Sequence, residues 1–142
     1  MPVLPNSLEE GDTRVSVLLA DDHLRVLASA MNLLGSGYRI VDAVSDGQTA
    51  LQSAQQCNPD LIVLDIEMPK IDGIRAAQEI RRLGLKARII FLTAHEDEDY
   101  LAAARTCGDG YVLKSRMGSD LRHAVEEALS GRFFSSRRET GR

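Results

Sequence analysis

Short aliphatic runs alternate with stretches of helical periodicity along the chain. The five aliphatic runs are "RVSVLLADD" (14–22), "YRIVDAV" (38–44), "DLIVLD" (60–65), "ARIIFLT" (87–93) and "GYVL" (110–113). Each run is followed by a stretch typical of a helix, and the second such helix, "DGQTALQSAQQC", ends at Asn58-Pro59. The apolar stripes of the first, third and last helices are Leu24, Leu27, Met31 and Leu34; Ile74, Ala77 and Ile80; and Leu121, Val125 and Leu129. The pattern predicts five β–α units in succession.

The spacing of these units predicts how the strands pair. Strands separated by helices of about a dozen residues pair in parallel through right-handed crossovers. Continuous aliphatic runs in strands one, three and four are typical of central strands, whereas the alternation in 38–44 indicates an edge strand. The predicted fold class is α/β, a doubly wound five-stranded parallel sheet, which binds ligands at the carboxyl ends of its strands. We predict one domain over residues 14–131, a disordered leader over 1–13 and a linker or tail over 132–142.

Composition and charge narrow the class of protein. The chain has 142 residues, of which 44% are hydrophobic and 27% charged, as in an ordinary globular domain. A net charge of −4 argues against a general binder of nucleic acid or anionic membranes, and no apolar stretch approaches the ~20 residues of a membrane span. The start of the chain lacks the features of a signal peptide, and neither the cysteines nor the histidines form a metal-binding spacing: Cys57, Cys107, His23, His95 and His123. We therefore expect a cytoplasmic protein with two free thiols and no membrane contact.

Polar side chains stand at the carboxyl ends of four predicted strands. They are Asp21 with Asp22, Asp65, Thr93 and Lys114. These ends meet at one edge of a parallel sheet, and crowded carboxylates repel one another unless a cation lies among them. Oxygen ligands without cysteine or histidine indicate a hard ion such as Mg²⁺, while Lys114 and the Thr93 hydroxyl suit an incoming anion. The set fits a nucleophilic aspartate, Asp65, that accepts a phosphoryl group.

Each of these residues also fits a simpler role. Asp65 fits the cap of a turn, and Asp21 with Asp22 fits the N-cap of the first helix. Thr93 fits a strand by propensity alone, and Lys114 fits a solvated lysine. It is the convergence of all of them at one sheet edge that favours the functional interpretation.

Four motifs in this order resemble the receiver domain of two-component response regulators. They are "ADD" (20–22), "LIVLDIEMPKIDG" (61–73), "FLTA" (91–94) and "GYVLK" (110–114). The resemblance covers about residues 14–131 and implies a flavodoxin-like sheet of strand order 2-1-3-4-5.

The resemblance also implies a set of site residues. Asp65 is the phosphoacceptor, and Thr93 and Lys114 bind its phosphoryl group. The implied Mg²⁺ ligands are Asp21, Asp22, Asp65 and the backbone carbonyl of Glu67. The implied switch consists of Thr93 and Tyr111, the latter at the position of the family's switch aromatic residue. Ser115 stands where many receivers have proline, which leaves the geometry of the Lys114–Ser115 bond open.

The implied function is a signalling switch rather than an enzyme. The chain would take a phosphoryl group from a sensor histidine kinase and would catalyse only its own phosphotransfer and dephosphorylation. Its output face would be the fourth helix, fifth strand and fifth helix, with a homodimer through that face or through the first and fifth helices.

The motifs also indicate a subgroup within the family. "ADDH" (20–23), "GYVLKS" (110–115) and "AVEEALSGRFFSS" (124–136) look most like receivers that precede a LuxR/NarL-type helix-turn-helix. No such domain follows here, so a stand-alone receiver and an excised domain both fit. We expect contact with DNA only through a missing output domain.

Two other classes of protein share parts of this pattern. A haloacid-dehalogenase-type enzyme also forms an aspartyl phosphate, but its D-x-D-x-[TV] motif closes the first strand, whereas "DIEMP" follows the third. A flavodoxin-like mononucleotide-binding module would need a loop rich in glycine, serine or threonine after the first strand, where this chain has "ADDHLRV". The sequence therefore favours the phosphorylation-controlled switch.

Overall fold

The computed structural model describes residues 11–136, and within them strands and helices alternate as the sequence predicts. The strands are β1 (Val15–Ala20), β2 (Tyr38–Val44), β3 (Leu61–Asp65), β4 (Arg88–Thr93), β5 (Gly110–Leu113) and β6 (Phe134–Ser135). The α-helices are α1 (Leu24–Leu34), α2 (Gly47–Cys57), α3 (Gly73–Arg82), α4 (Glu98–Cys107) and α5 (Met117–Leu129). Short 3-10 helices occupy Gly35–Gly37 and Lys114–Arg116. Most of the predicted leader, 1–10, and the end of the predicted tail, 137–142, lie outside the described residues.

The strands form one parallel sheet of order β2-β1-β3-β4-β5-β6. The predicted doubly wound fold, its order 2-1-3-4-5 and the edge position of β2 are confirmed. The addition is β6, which lies in the range predicted to be a linker or tail and pairs with β5. β6 is not predictable from the sequence pattern, because a strand of two residues is too short to produce a periodic pattern.

The sheet divides the hydrophobic core into two layers, because successive strand residues face opposite sides. In one layer, residues of the sheet pack against α2, α3 and α4; its members include Leu18, Ile62, Leu64, Phe91, Ala50, Ala76 and Ala104. In the other layer, the sheet packs against α1 and α5; its members include Leu19, Val63, Leu92, Leu27, Leu34, Leu121 and Val125. The aliphatic runs of β1, β3 and β4 are therefore buried on both faces, as predicted for central strands.

The helices bury narrower faces than the sequence predicts. In α1, Leu27 and Leu34 are buried as expected, but Leu24 and Met31 are 78% and 39% exposed. Helical spacing shows which residues share a face, but it does not show how much of that face the sheet covers. No helix in the described part of the chain is both long enough and apolar enough to cross a membrane.

A close backbone approach at Gly73 fixes the loop that follows β3. A Cβ atom at this position would overlap the backbone carbonyl of Asp65, so only glycine fits without a shift. The Gly73 N–H donates a 2.7 Å hydrogen bond to the carbonyl of Ile66. Asp72 begins α3 as its N-cap, since its side chain accepts from the backbone N–H of Arg75. The start of α3 thereby holds the end of β3, and Asp65 with it, in a defined position.

Candidate functional site

The strand register brings the predicted site residues together at the carboxyl edge of the sheet. Asp65 is the last residue of β3. The residue before it pairs with the last residue of β1, and Asp21 comes directly after that β1 residue. On the other side of β3, Asp65 pairs with the β4 residue just before Thr93, and Thr93 pairs with the β5 residue just before Lys114. The convergence predicted from the strand ends is present in the structure.

Lys114 lies between two buried carboxylates. Its Nζ is 2.9 Å from Oδ2 of Asp21 and 3.2 Å from Oδ2 of Asp65. Both aspartates are 1% exposed, so this lysine is not the solvated residue of the simpler interpretation. The peptide bond between Lys114 and Ser115 is trans, as are the others among residues 11–136. Because one ammonium faces two carboxylates, the cluster keeps an excess of negative charge in a buried place.

That excess shifts the pKa values of the cluster. Burial and the charge of Asp21 raise the pKa of Asp65 to about 6, although Lys114 and the Glu67 backbone N–H act in the opposite direction. Burial lowers the pKa of Lys114, but close contact with Asp21 and the charges of both aspartates outweigh burial, so its pKa is raised. The ammonium therefore stays charged at neutral pH, and the cluster is short of positive charge.

Two buried oxygens of this cluster share one ammonium. Oδ2 of Asp21 and Oδ2 of Asp65 both face Nζ of Lys114, and they have no other hydrogen-bond partner among the described residues. Buried carboxylates are costly unless their charge is matched, and one ammonium matches the charge of only one of them. Carboxylate oxygens of Asp21, Asp22 and Asp65 lie within 4.8 Å of one another and of a ring nitrogen of His23. The three carboxylates of this set fit a hard divalent cation such as Mg²⁺.

His23 is a member of the cluster that the sequence analysis missed. Its backbone N–H donates to Oδ1 of Asp21 at 2.8 Å, and its Nδ1 lies 3.2 Å from Oδ1 of Asp21 and from Oδ1 of Asp22. His23 is also the N-cap residue of α1, so the alternative in which Asp21 and Asp22 form that cap is wrong. Its position directly after the acidic pair fits a residue at the start of a helix, and neither that position nor the spacing of the histidines shows where the ring lies.

Thr93 and Tyr111 both contact the loop between β4 and α4. The Thr93 hydroxyl donates to the His95 carbonyl at 3.1 Å and accepts from the His95 N–H at 3.3 Å. The Tyr111 hydroxyl donates to the Asp97 carbonyl at 3.3 Å and accepts from the Asp97 N–H at 3.2 Å. Tyr111 is buried in this conformation. The switch role of the two residues stays a prediction.

Glu67 connects the site to α4. Its N–H donates to Oδ1 of Asp65 at 3.2 Å, and its Oε2 accepts from the Tyr100 hydroxyl at 3.2 Å. The first contact is the local turn bond that the simpler interpretation of Asp65 predicts, whereas Oδ2 of the same carboxylate faces Lys114. The use of the Glu67 backbone carbonyl as a metal ligand stays a prediction.

Comparison with known proteins agrees with this geometry. The family model of the response regulator receiver domain matches residues 17–126, which include the acidic pair, Asp65, Thr93 and Lys114. The chain belongs to the response regulator receiver family. The resemblance on which the sequence analysis relied is thereby confirmed.

Two curated relatives and one solved structure illustrate the relationship. The nitrate/nitrite response regulator protein NarL of Escherichia coli (strain K12) is 32% identical over 124 residues, which are 85% of this receiver and 57% of NarL. The transcriptional regulatory protein PdtaR of Mycobacterium tuberculosis (strain CDC 1551 / Oshkosh) is 39% identical over 116 residues, 80% of this receiver and 56% of PdtaR. The crystal structure of a LuxR-family two-component response regulator from Aurantimonas sp. SI85-9A1 superposes with a TM-score of 0.80 at 30% identity, covering 86% of this chain and 89% of that chain. The receiver thus spans a little over half the length of these curated relatives.

Proposed function

We propose that this receiver is a phosphorylation-controlled switch in which Asp65 accepts a phosphoryl group from a sensor histidine kinase. The observation that carries the proposal is the pairing of two buried carboxylates, Asp21 and Asp65, with the single ammonium of Lys114. A purely structural ion pair would match each carboxylate with a cation. The surplus negative charge instead suits a site that binds a divalent cation and an anionic phosphoryl group together.

The chemistry is assigned to residues at the sheet edge. An oxygen of Asp65 forms a bond to phosphorus while the bond from phosphorus to the kinase's histidine nitrogen breaks, and the imidazole leaves. Lys114 stabilises the charge on the phosphoryl oxygens. The Thr93 hydroxyl, which donates to the His95 carbonyl in this conformation, turns to donate to one of those oxygens. Hydrolysis of the acyl phosphate resets the switch, so the chain turns over only its own phosphoryl group.

The proposed output is transcription, through a LuxR/NarL-type DNA-binding domain of a longer protein. The names of NarL and PdtaR as regulators, and the share of their length that this receiver spans, support that proposal. Phosphorylation would act on the face formed by α4, β5 and α5, and the proposed assembly is a homodimer through that face or through α1 and α5. The receiver itself is proposed to act in the cytoplasm without contacting DNA or a membrane.

Acetyl phosphate and Mg²⁺ test the phosphoacceptor directly. Intact-mass spectrometry should show one added phosphoryl group that hydroxylamine removes, because an acyl phosphate is open to attack by this nucleophile. The Asp65→Asn variant should gain no phosphoryl group. The control Asp99→Asn, the same change at an exposed carboxylate in the first turn of α4, should gain it as the wild type does. A stable adduct on Asp65→Asn, or full labelling in the presence of EDTA, would show that the proposal is wrong.

The metal site is proposed to consist of Asp21, Asp22, Asp65 and the Glu67 backbone carbonyl, where Mg²⁺ would neutralise charge on the phosphoryl group. The Asp22→Ala variant should bind Mg²⁺ at least ~10–100-fold more weakly, since even residues that only support a ligand have effects of that size. Its metal-free form should be no less stable than the wild type, because the substitution relieves repulsion. Titration calorimetry measures the affinity, with Asp99→Ala as the control. Unchanged affinity in Asp22→Ala would exclude this residue from the site.

A further inference from the structure

After α5 the chain turns back and covers the open edge of the sheet. Phe134–Ser135 pair in parallel with β5. The Ser136 N–H donates to the Tyr111 carbonyl at 2.9 Å, and the Leu113 N–H donates to the Ser136 hydroxyl at 3.2 Å. Residues 132–136, here called the edge segment, therefore satisfy backbone groups that β5 would otherwise leave open to other strands.

The two aromatic rings of the edge segment anchor it on both faces of the sheet. Phe133 packs against the layer formed by α2, α3 and α4, and the Arg105 guanidinium of α4 lies 4.5 Å from its ring centroid. Phe134 packs against the layer formed by α1 and α5, edge to face with the ring of His123 at 4.9 Å between centroids. The segment thus joins the two helices that flank β5, and it occupies the middle of the face proposed for the output.

A buried polar contact holds the end of the edge segment. The Ser136 hydroxyl donates to Oδ2 of Asp120 at 2.6 Å, and both residues are buried. Burial raises the pKa of Asp120, but hydrogen bonds from Ser136, Ser119 and Arg116 outweigh burial, so the pKa is lowered and the carboxylate is ionised at neutral pH. Asp120 also accepts from Arg116 at 3.1 Å and from Ser119 at 3.0 Å, so its carboxylate connects the docked segment to the start of α5.

The edge segment also contacts the residues predicted to move. Tyr111, whose carbonyl accepts from Ser136, holds Asp97 at the start of α4 through its hydroxyl. Two residues earlier, His95 is hydrogen-bonded to the Thr93 hydroxyl. A phosphoryl group that draws this hydroxyl toward the site breaks its bond with His95 and disturbs the loop to which Tyr111 is attached. A chain of contacts is a route for coupling rather than a measurement of it, so the test must measure the coupling.

We propose that residues 132–136 form a releasable strand, docked on β5 in the unphosphorylated receiver and released when Asp65 is phosphorylated. Docking closes the interaction surface formed by α4, β5 and α5, and release opens the β5 edge. The inference rests on the proposed function, because its trigger is the phosphoryl group on Asp65.

Amide hydrogen exchange with a beryllium–fluoride complex and Mg²⁺, a mimic of the phosphoryl group, tests the release. Binding of the mimic is followed independently by fluorine NMR. Once the mimic is bound, the amides of Leu113 and Ser136 should exchange roughly tenfold faster or more, as expected when a hydrogen bond of ordinary strength is lost. Unchanged or slower exchange in the bound state overturns the inference while leaving the proposed function intact. If the mimic does not bind, the proposed function is overturned. Phosphorylation of Asp65 then also cannot be what releases the edge segment.

Docking itself is tested without phosphorylation by Ser136→Ala. This change removes the donor to Asp120 and the acceptor for the Leu113 N–H, so exchange at Leu113 should rise in the unliganded protein, and the mimic should then add little. The control Ser130→Ala, at an exposed position after α5, should leave the exchange rates of the Leu113 and Ser136 amides unchanged. Binding of the mimic to Ser136→Ala shows that the variant is folded. If exchange at Leu113 is then the same as in the wild type, Ser136 does not hold the segment and the inference fails.

Discussion

Replacing Lys114 with methionine is expected to lower the free energy of unfolding by roughly 3 kcal/mol in metal-free buffer, the lower end of the range for removing one partner of a buried ion pair. The ammonium contacts both Asp21 and Asp65, and its removal leaves two buried carboxylates facing each other. Proton uptake by Asp65, whose pKa is already raised to about 6, limits the loss. Methionine keeps the length of the apolar stem, so the change reports the charge rather than the packing.

The loss in Lys114→Met should grow as the pH rises. A carboxyl group whose pKa is raised in the folded state destabilises that state only where it is ionised, so for Asp65 the cost is absent below the ordinary value of 3.8 and complete above about 6. Without Lys114, ionisation of Asp65 destabilises the folded state more strongly. The difference in the free energy of unfolding between Lys114→Met and the wild type should therefore widen from about pH 4 to about pH 7. Urea unfolding in EDTA measures it, and Lys86→Met, the same change at an exposed lysine, should stay within ~0.5 kcal/mol of the wild type. Equal stability of Lys114→Met and the wild type would show that Lys114 does not offset the two carboxylates.

The main sheet could be predicted because each of its strands has a hydrophobic pattern that is visible in the local sequence. The run Leu61–Asp65 is buried along its whole length, and the alternating run Tyr38–Val44 lies at the edge, as continuous and alternating patterns indicate. β6 could not be predicted in this way. It is set by tertiary contacts, since Phe133 and Phe134 pack on opposite faces of the sheet against different layers of helices. The exposure of Leu24 also depends on tertiary contacts, so the helical spacing of the apolar residues in α1 did not predict it.

The core of the site could be predicted because strand order alone brings the strand ends together. Asp21, Asp65 and Lys114 meet at one edge whatever the detailed packing of the helices. The contacts around them depend on side-chain rotamers, which no pattern in the sequence encodes. The ring of His23 beside the acidic pair and the buried contact between Asp120 and Ser136 are of this kind. The roles of Thr93, Tyr111 and the Glu67 carbonyl, and the domain limits at 14 and 131, stay predictions.

The Asp65→Asn variant should have the opposite effect to Lys114→Met and stabilise the metal-free receiver by roughly 2–3 kcal/mol near neutral pH. The pKa of Asp65 is raised from 3.8 to about 6, a rise of roughly two units at about 1.4 kcal/mol each. Asparagine has nearly the same shape without the charge, so it removes the repulsion from Asp21. This net rise already includes the attraction between Lys114 and the carboxylate, which lowers the pKa.

Three comparisons distinguish this effect of Asp65→Asn from a general effect of removing an acid. The gain in stability should shrink as the pH falls from about 6 to about 4. In this range Asp65 of the folded wild type takes up a proton and becomes uncharged, as asparagine is at every pH. The control Asp99→Asn should be slightly less stable than the wild type, by ~0.3–1 kcal/mol, since a carboxylate in the first turn of α4 interacts favourably with the helix dipole. Mg²⁺ should stabilise the wild type by an amount that grows with the ratio of its concentration to its dissociation constant, and it should leave Asp65→Asn, which lacks a ligand, almost unchanged. The difference between the two proteins then narrows or reverses. If Asp65→Asn is no more stable than the wild type in EDTA, repulsion between carboxylates does not destabilise this site in the absence of metal and phosphoryl group.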